Sequence, residues 1–423
     1  MYGICLRTGS ITVETPVTIL MVGIGGYGYY YLKTLLERIP SRQAVLRAVV
    51  DPLAKQSGHY PRLIEEGIPI FDEMEDFYQA GMDAALAVIA SPIQFHVPQS
   101  CVALKHGTHV LCDKPIAPVV QEADLLIRTA ADSGAWCGIG YQWSYSRAIR
   151  SLKQDIRKGL FGKPLRLKTL IFWPRDDAYY RRNNWAGKVR DESGRWVLDS
   201  PANNAMAHFL HNLYYILGED AGAGAQPQDV VAELYRANPI ENCDTAFCRS
   251  HAGGAELLFY ASHATRTEQA PTFLMEFENA VVRFNEPEPE IVVQTGEGAR
   301  WSYGSPEDDD QFQKLFDAIR AVHTMEPPVC GPAAARPQCV CANGMQDSAD
   351  PIASFPPALL SRDEEHHRWW VEGLEYVVRE CYRKDALPSE IGIPWAQRGR
   401  SVDLRCYNRY PGVKDAACSK PGD

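Results

Sequence analysis

Along the first third of the chain, short apolar runs alternate with stretches of helical spacing. Thr18 to Val22 is rich in branched residues and bounded by glycine, which predicts a strand buried on both faces. Val45 to Val50, Ala84 to Ala90, His109 to Cys112 and Trp136 to Gln142 read the same way. Between them the spacing predicts helices over Tyr29 to Arg38, Met74 to Ala80, Phe95 to His106 and Gln121 to Ser133. The last of these turns Leu125, Leu126, Ile127 and Ala130 inward. Strand–helix repetition over about 140 residues implies an α/β fold with a doubly wound parallel sheet. Ligands of such sheets lie outside the carboxyl ends of the strands, where Asp51, Ser91, Lys114 and Gln142 converge.

After a linking helix over Arg147 to Lys158 the texture changes. Strand-like runs at Leu165 to Phe172, Val230 to Tyr235, Thr245 to Arg249, Glu256 to Ala261, Phe273 to Glu278, Ala280 to Phe284 and Ile291 to Gln294 predict a largely antiparallel sheet. Helices are expected at Gln311 to His323, at Pro332 to Gln346, and at Glu365 to Lys384 with Trp370, Leu374, Val377, Val378 and Cys381 along one side. The strands from Glu256 to Gln294 are too apolar on alternate positions to leave both faces wet. One face is therefore expected against another subunit, as a homodimer or homotetramer, or else under the Trp370-bearing helix. The expected domains are residues 15–145, residues 146–350, and a C-terminal helix with an extended tail over 351–423.

The first turn carries the most specific chemistry. Gly23-Ile24-Gly25-Gly26-Tyr27-Gly28 fits G-x-G-x-x-G between a strand and a helix, and Asp51 ends the next strand 23 residues after Gly28. Gly23 permits the tight turn, Gly25 and Gly26 bring backbone N–H groups toward a pyrophosphate, and Gly28 lets helix and strand pack closely. Asp51 would accept hydrogen bonds from a ribose diol and repel a 2′-phosphate. With Pro52, Leu53 and Ala54 following, NAD is expected over NADP.

Composition narrows the partners. A net charge of −10 argues against nucleic acid, and no apolar run approaches a membrane span. The N-terminal MYGICLRTGSITVETP lacks the pattern of a secretory signal, and the twelve cysteines show no paired spacing, so a cytoplasmic protein with reduced thiols is expected. Neither the C-x-C at Cys339 and Cys341 nor His208-x-x-His211 has further ligands at fixed spacing, so no metal site is expected.

The runs Ala90-Ser91-Pro92-Ile93-Gln94-Phe95-His96 and His106-Gly107-Thr108-His109-Val110-Leu111-Cys112-Asp113-Lys114-Pro115 resemble the glucose-fructose oxidoreductase, inositol dehydrogenase and MocA (Gfo/Idh/MocA) family. Gly140-Tyr141-Gln142 and Lys158 to Pro164 match its next landmarks, and the resemblance extends over roughly residues 15 to 350. It implies an N-terminal NAD(P)-binding Rossmann domain and a C-terminal α/β domain with an open, largely antiparallel sheet. It also implies an oxidoreductase acting on CH–OH groups of sugars, polyols or related hydroxy compounds. Carried over by motif, the cofactor-binding residues are Gly23, Gly25, Gly26, Gly28, Asp51, Ser91, Pro92, His96, Lys114 and Gln142. Asp113 replaces the family's usual Glu, a mild change.

A helix is expected from Pro201 to Leu217, capped by Ser200, with Met206, Leu210, Leu213 and Leu217 as its core stripe. Asn204, His208 and His211 share roughly the opposite face, which is either solvated surface, the reading residue types alone favour, or the lining of a cleft. The resemblance instead puts a D-x-x-x-H catalytic pair here: His208 is its histidine and Asn204 stands at the aspartate position. An amide carries no charge, so the usual tuning of His208 is missing from the sequence. Lys114 would stabilise the substrate alkoxide and His208 would take its proton. Residues 172–196 are dense in Trp, Tyr, Arg and Asn, and suit either a polyhydroxylated or carboxylated ligand or a solvated loop anchored by its aromatics. Trp173, Arg175, Tyr180, Asn184, Trp185 and, on the neighbouring helix, His211 are the substrate-side candidates. Two further readings stand beside a dehydrogenase: a glycosidase-like enzyme in which NAD cycles within one turnover, and a non-enzymatic NAD-binding regulator, for which Asn204 argues.

Overall fold

The computed structural model describes residues 15–412. The N-terminal segment read for a signal and the end of the tail lie outside them, at 1–14 and 413–423. Six parallel strands form the first sheet: β1 (Val17–Val22), β2 (Ala44–Val50), β3 (Ile70–Phe71), β4 (Leu86–Ile89), β5 (His109–Cys112) and β6 (Cys137–Ile139). Their spatial order, β3-β2-β1-β4-β5-β6, reverses at β1, which makes the β1/β4 boundary the ligand-binding switch point. Helices α1 (Gly28–Arg38), α2 (Tyr60–Glu65), α3 (Met74–Gln79), α4 (His96–Lys105) and α5 (Val120–Ser133) connect the strands. On α5 the buried face is Val120, Ala123, Leu126 and Thr129, whereas Leu125 is 45% exposed, contrary to the expected stripe.

Helix α6 (Arg147–Arg157) leads into the second sheet. Its strands are β7 (Pro164–Phe172), β8 (Asp229–Arg236), β9 (Thr245–Ala252), β10 (Ala255–Ser262), β11 (Gln269–Phe277), β12 (Ala280–Phe284), β13 (Val292–Thr295), β14 (Arg300–Ser302) and β15 (Ala353–Ser354). They run in the order β14-β13-β12-β11-β7-β10-β9-β8-β15. Neighbours are antiparallel except at β7/β10 and β8/β15, so the sheet is mixed. Between β7 and β8 lie α7 (Asp177–Arg181) and α8 (Ala207–Ile216). Two later helices follow, α9 (Gln313–Thr324) and α10 (Pro332–Ser348). Phe312, Leu315 and Ala318 pack α9 back onto Val17, Ile19 and Leu86 of the first sheet, so the first domain borrows a helix from beyond residue 146.

The remaining elements are a hairpin of β16 (Leu360–Asp363) and β17 (Arg368–Val371), helix α11 (Leu374–Lys384) and β18 (Val402–Asp403). Trp370 thus lies on a strand, and the helix expected from Glu365 begins only at Leu374. Asp363 explains the difference, because Oδ1 accepts the backbone N–H groups of Glu365 and His366 and closes a tight turn there. One face of the second sheet packs on α8 and α10. The other face, presenting Leu170, Phe172, Tyr235, Phe247, Leu258 and Tyr260, is covered by Phe355, Leu374, Val378, Cys381 and Leu387 of the same chain. The fold therefore does not require a second subunit to bury that face. Among the described residues, no helix is long and apolar enough to cross a membrane.

Candidate functional site

The glycine loop closes the carboxyl end of β1. Gly23 has φ +78°, and a Cβ there would lie 2.7 Å from the backbone nitrogen of Ser91, so the Ser91-Pro92 turn packs directly on the loop. A Cβ on Gly28 would come within 2.1 Å of the Gly23 carbonyl oxygen, which fixes how closely α1 approaches β1. Gly25 faces open space: nothing lies within 4 Å of where its Cβ would be. Asp51 spans the loop, its Oδ2 accepting the Ile24 N–H at 2.8 Å and its Oδ1 the Leu53 N–H at 2.8 Å. Each oxygen keeps acceptor capacity for a ribose hydroxyl. An open backbone cradle beside an accessible acid at the switch point fits a dinucleotide.

Two expected contact residues have other tasks. His96 is 2% exposed, with Nδ1 2.7 Å from the Pro115 carbonyl and Nε2 2.9 Å from that of Ser91. It ties the turns after β4 and β5 together rather than facing a ligand, and burial lowers its pKa. Gln142 does not end a strand, because β6 stops at Ile139 and Gln142 opens a short 3-10 turn.

Lys114 follows β5, half-buried. Its ammonium donates to the backbone carbonyl of Asn204 at 2.8 Å and to Asn204 Oδ1 at 3.3 Å. The other end of that amide, Nδ2, donates to Asp199 Oδ1 at 2.7 Å. Asp199 is 3% exposed; its Oδ2 accepts the Gly187 N–H at 2.6 Å and lies 3.9 Å from Arg182. An ammonium only donates and a carboxylate only accepts, so these partners dictate the orientation of the amide between them. Burial pushes Lys114 down to about 8, with Lys314 and Arg182 adding to the depression while Asp113 and Asp199 oppose it. Burial raises the Asp199 carboxyl. Asp113 points the other way. Its Oδ1 accepts from the Tyr31 hydroxyl at 3.0 Å and from Lys314 at 3.3 Å, and Lys314 also donates to the Gly140 carbonyl at 3.1 Å.

The histidines part company. His208, in the first turn of α8, is half-buried with its ring edge-on to Tyr141 at 5.7 Å and its Nδ1 buried without a partner. Burial holds its pKa well below 6.5, and Lys114, Lys314 and His211 press it in the same direction. His211 is 1% exposed, stacks against Tyr141 at 3.9 Å, and places Nε2 2.9 Å from Ser144 Oγ. It is core, neither surface nor a substrate contact. Asn204 is not on the helix at all. Residues 201–206 form turns, and α8 starts at Ala207 rather than Pro201.

In the 172–196 segment, Trp173 packs against Phe209 of α8 at 5.4 Å. Arg175 lies over the rings of Trp173 at 5.7 Å and Tyr179 at 4.6 Å, and Arg182 lies over Tyr179 at 3.7 Å and Trp185 at 5.2 Å. Tyr180 turns its hydroxyl into the protein without a partner, and Asn184 is exposed. Sequence reasoning missed Asp199, Arg182 and Lys314. Each had a signal: Asp199 is an acid directly after Val197-Leu198, Arg182 lies inside the polar segment, and Lys314 is a cation between the apolar positions of α9.

The family described as an oxidoreductase family with an NAD-binding Rossmann fold, Gfo/Idh/MocA, matches residues 17–141. The scyllo-inositol 2-dehydrogenase (NAD(+)) of Bacillus subtilis is 27% identical over 37% of this chain and 44% of its own length. The 2,7-anhydro-N-acetylneuraminate hydratase of Mediterraneibacter gnavus is 25% identical over 49% of this chain and 51% of its own. The chain thus spans about half the length of these curated relatives. Among solved structures, the WlbA dehydrogenase of Bordetella pertussis, in complex with NADH and UDP-GlcNAcA, superposes with a TM-score of 0.63 at 18% identity, covering 78% of this chain and 97% of that one. Myo-inositol 2-dehydrogenase of Lactobacillus plantarum gives 0.62 at 18% identity, covering 79% and 98%. With the glycine loop, Asp51 and the Asp113-Lys114-Pro115 turn in their places, residues 17–141 match the NAD-binding Rossmann fold of the Gfo/Idh/MocA oxidoreductase family, and the chain as a whole shares the fold of the solved dehydrogenases.

Proposed function

We propose that the protein is an NAD-dependent oxidoreductase acting on a hydroxyl-bearing carbon of a sugar, polyol or related hydroxy compound. The observation that carries this reading is the Lys114 ammonium, held at the carboxyl end of β5 beside the glycine loop and next to His208. NAD seated on Gly23 to Gly28 and Asp51 supplies the hydride acceptor. Lys114 hydrogen-bonds the substrate oxygen and stabilises negative charge as it develops there. His208, kept neutral by burial, takes the hydroxyl proton. Asp199, acting through the Asn204 amide, holds the Lys114 ammonium in place. A carboxylate thus stands one side chain behind the position where the sequence lacks one, which removes the main argument for a non-enzymatic regulator. The net charge of −10 and the ten free thiols among the described residues support a cytoplasmic enzyme of small molecules.

Turnover of a polyol and sugar panel, followed by NADH formation, tests the reading. Lys114→Ala and His208→Ala should each lower kcat by about 10² or more with little change in NAD affinity. Near-normal turnover by His208→Ala refutes its role. A second reading, in which NAD is reduced by the substrate and reoxidised within one turnover, is favoured by the likeness to a hydratase, whose reaction is redox-neutral overall. Product formation without net NADH selects it.

A further inference from the structure

Charge is unevenly placed in this acidic protein. Around the site stand four cations, Lys114, Arg175, Arg182 and Lys314, and among the described residues only Lys314 and Arg182 come within ion-pair distance of a carboxylate, Asp113 and Asp199 respectively. Lys314 pairs with Asp113, and Asp199 spends both oxygens on Gly187 and Asn204 while standing 3.9 Å from Arg182. The Lys114 ammonium rests on the neutral oxygens of Asn204. Arg175 has still less. Its guanidinium meets the ring faces of Trp173 and Tyr179, its Nε is buried without a hydrogen-bond partner, and among the described residues no carboxylate lies within ion-pair distance of it. A desolvated cationic donor without an acceptor is costly, and an anionic ligand removes that cost.

The two arginines are also pre-arranged. Both stack on the Tyr179 ring, at 4.6 Å for Arg175 and 3.7 Å for Arg182, so binding a ligand need not freeze two free side chains. Trp173 joins this cluster to α8 through Phe209, the residue after His208, and Asp199 joins it to Lys114 through Asn204. The cluster therefore borders the Lys114 and His208 end of the site.

We propose that Arg175 and Arg182 form an acid-binding subsite, and that the substrate is a polyhydroxylated carboxylic acid of the aldonic or uronic class. The inference rests on the oxidoreductase reading above and adds the charged group to its substrate. The Arg175 fork, mounted on the rings of Trp173 and Tyr179, matches the oxygen pair of a carboxylate, and Arg182, whose Nη1 donates to the Tyr179 carbonyl, adds charge beside it, while the carbinol carbon faces Lys114 and His208.

Matched acids and neutral counterparts test this by calorimetric titration of the full chain saturated with NADH: D-gluconate against D-glucitol, D-galacturonate against D-galactose, and D-glucose 6-phosphate as a dianion. At least one acid should bind about tenfold or more tightly than its neutral partner, with an advantage that shrinks as salt is raised. Arg175→Ala should lower acid affinity about tenfold or more while NADH affinity and neutral-sugar affinity hold. Arg175→Lys, which keeps the charge without the fork, should restore only part of it. The proposal is overturned if no acid binds, if neutral members bind as well as acids, if Arg175→Ala weakens both alike, or if only the phosphate binds. Tight acid binding without hydride transfer to NAD retires the oxidoreductase reading and leaves the subsite standing. Turnover confined to neutral polyols does the reverse.

Discussion

Replacing Asp199 by asparagine is the most informative single change, because it removes a charge two side chains from the reacting atoms without emptying space. The Lys114 ammonium reaches Asn204 Oδ1 at 3.3 Å, and Asn204 Nδ2 reaches Asp199 at 2.7 Å. Adding the width of the amide places the two charges roughly 6–7 Å apart. At an effective dielectric of about 20 they attract by about 2.5 kcal/mol, close to 2 pH units. Burial raises the Asp199 carboxyl, while Arg182, the Gly187 N–H, Asn204 and Lys114 oppose that rise. Asp199→Asn should therefore lower the Lys114 midpoint from about 8 by about one to two units. The substituted amide would also bring an NH₂ group toward Asn204 Nδ2 or the Gly187 N–H, both donors, and the relief is a flip of Asn204 that turns its own NH₂ toward Lys114. Acetic anhydride labelling across pH, read by mass spectrometry of the Lys114 peptide, measures the midpoint without knowledge of the substrate. The double variant Asp199→Asn with Asn204→Asp puts the carboxylate in direct contact and should bring the midpoint back up. A midpoint that stays put in Asp199→Asn while thermal stability falls would show Asp199 to be only structural, and would sink the relay.

Three further outcomes follow from the same geometry. Gly28→Ala should cost about 1–3 kcal/mol or more in denaturant unfolding and abolish NAD binding, because its Cβ meets the Gly23 carbonyl at 2.1 Å; normal NADH titration by the variant contradicts this. Asp51→Ser should weaken NAD and raise the NADP/NAD affinity ratio about tenfold or more, and tighter NADP than NAD binding by the unmutated protein would overturn the role of Asp51. Acid should destabilise the fold from about pH 6.5 downward. Burial lowers the pKa of His208, His211 and His263, the last to about 3, so the unfolded chain binds more protons below about 6.5 and stability falls with pH. Each histidine adds a slope of up to about 1.4 kcal/mol per pH unit; unfolding midpoints that stay flat between about pH 6.5 and 4.5 would refute their neutral burial.

Much of the fold was legible because its signals are local. A strand buried on both faces writes itself as a branched apolar run, and the glycine loop needs its residue types within six positions of one chain segment. The Asp113-Lys114-Pro115 turn was found for the same reason. What the sequence could not show was set by partners distant along the chain. The α8 start is an example: Ser200 and Pro201 are sound local signals for a helix, yet the Lys114 ammonium takes the Asn204 carbonyl at 2.8 Å, an oxygen that a helix begun at Pro201 would need for itself. Likewise His208 and His211 have the same spacing and polarity as a solvated stripe, and only the packing of Tyr141 against both separates a ring at the site from one in the core. Asp199 and Lys314 acquire meaning only in the fold, because a buried charge is tolerable where a complementary group has been brought to it, and that group lies on another element.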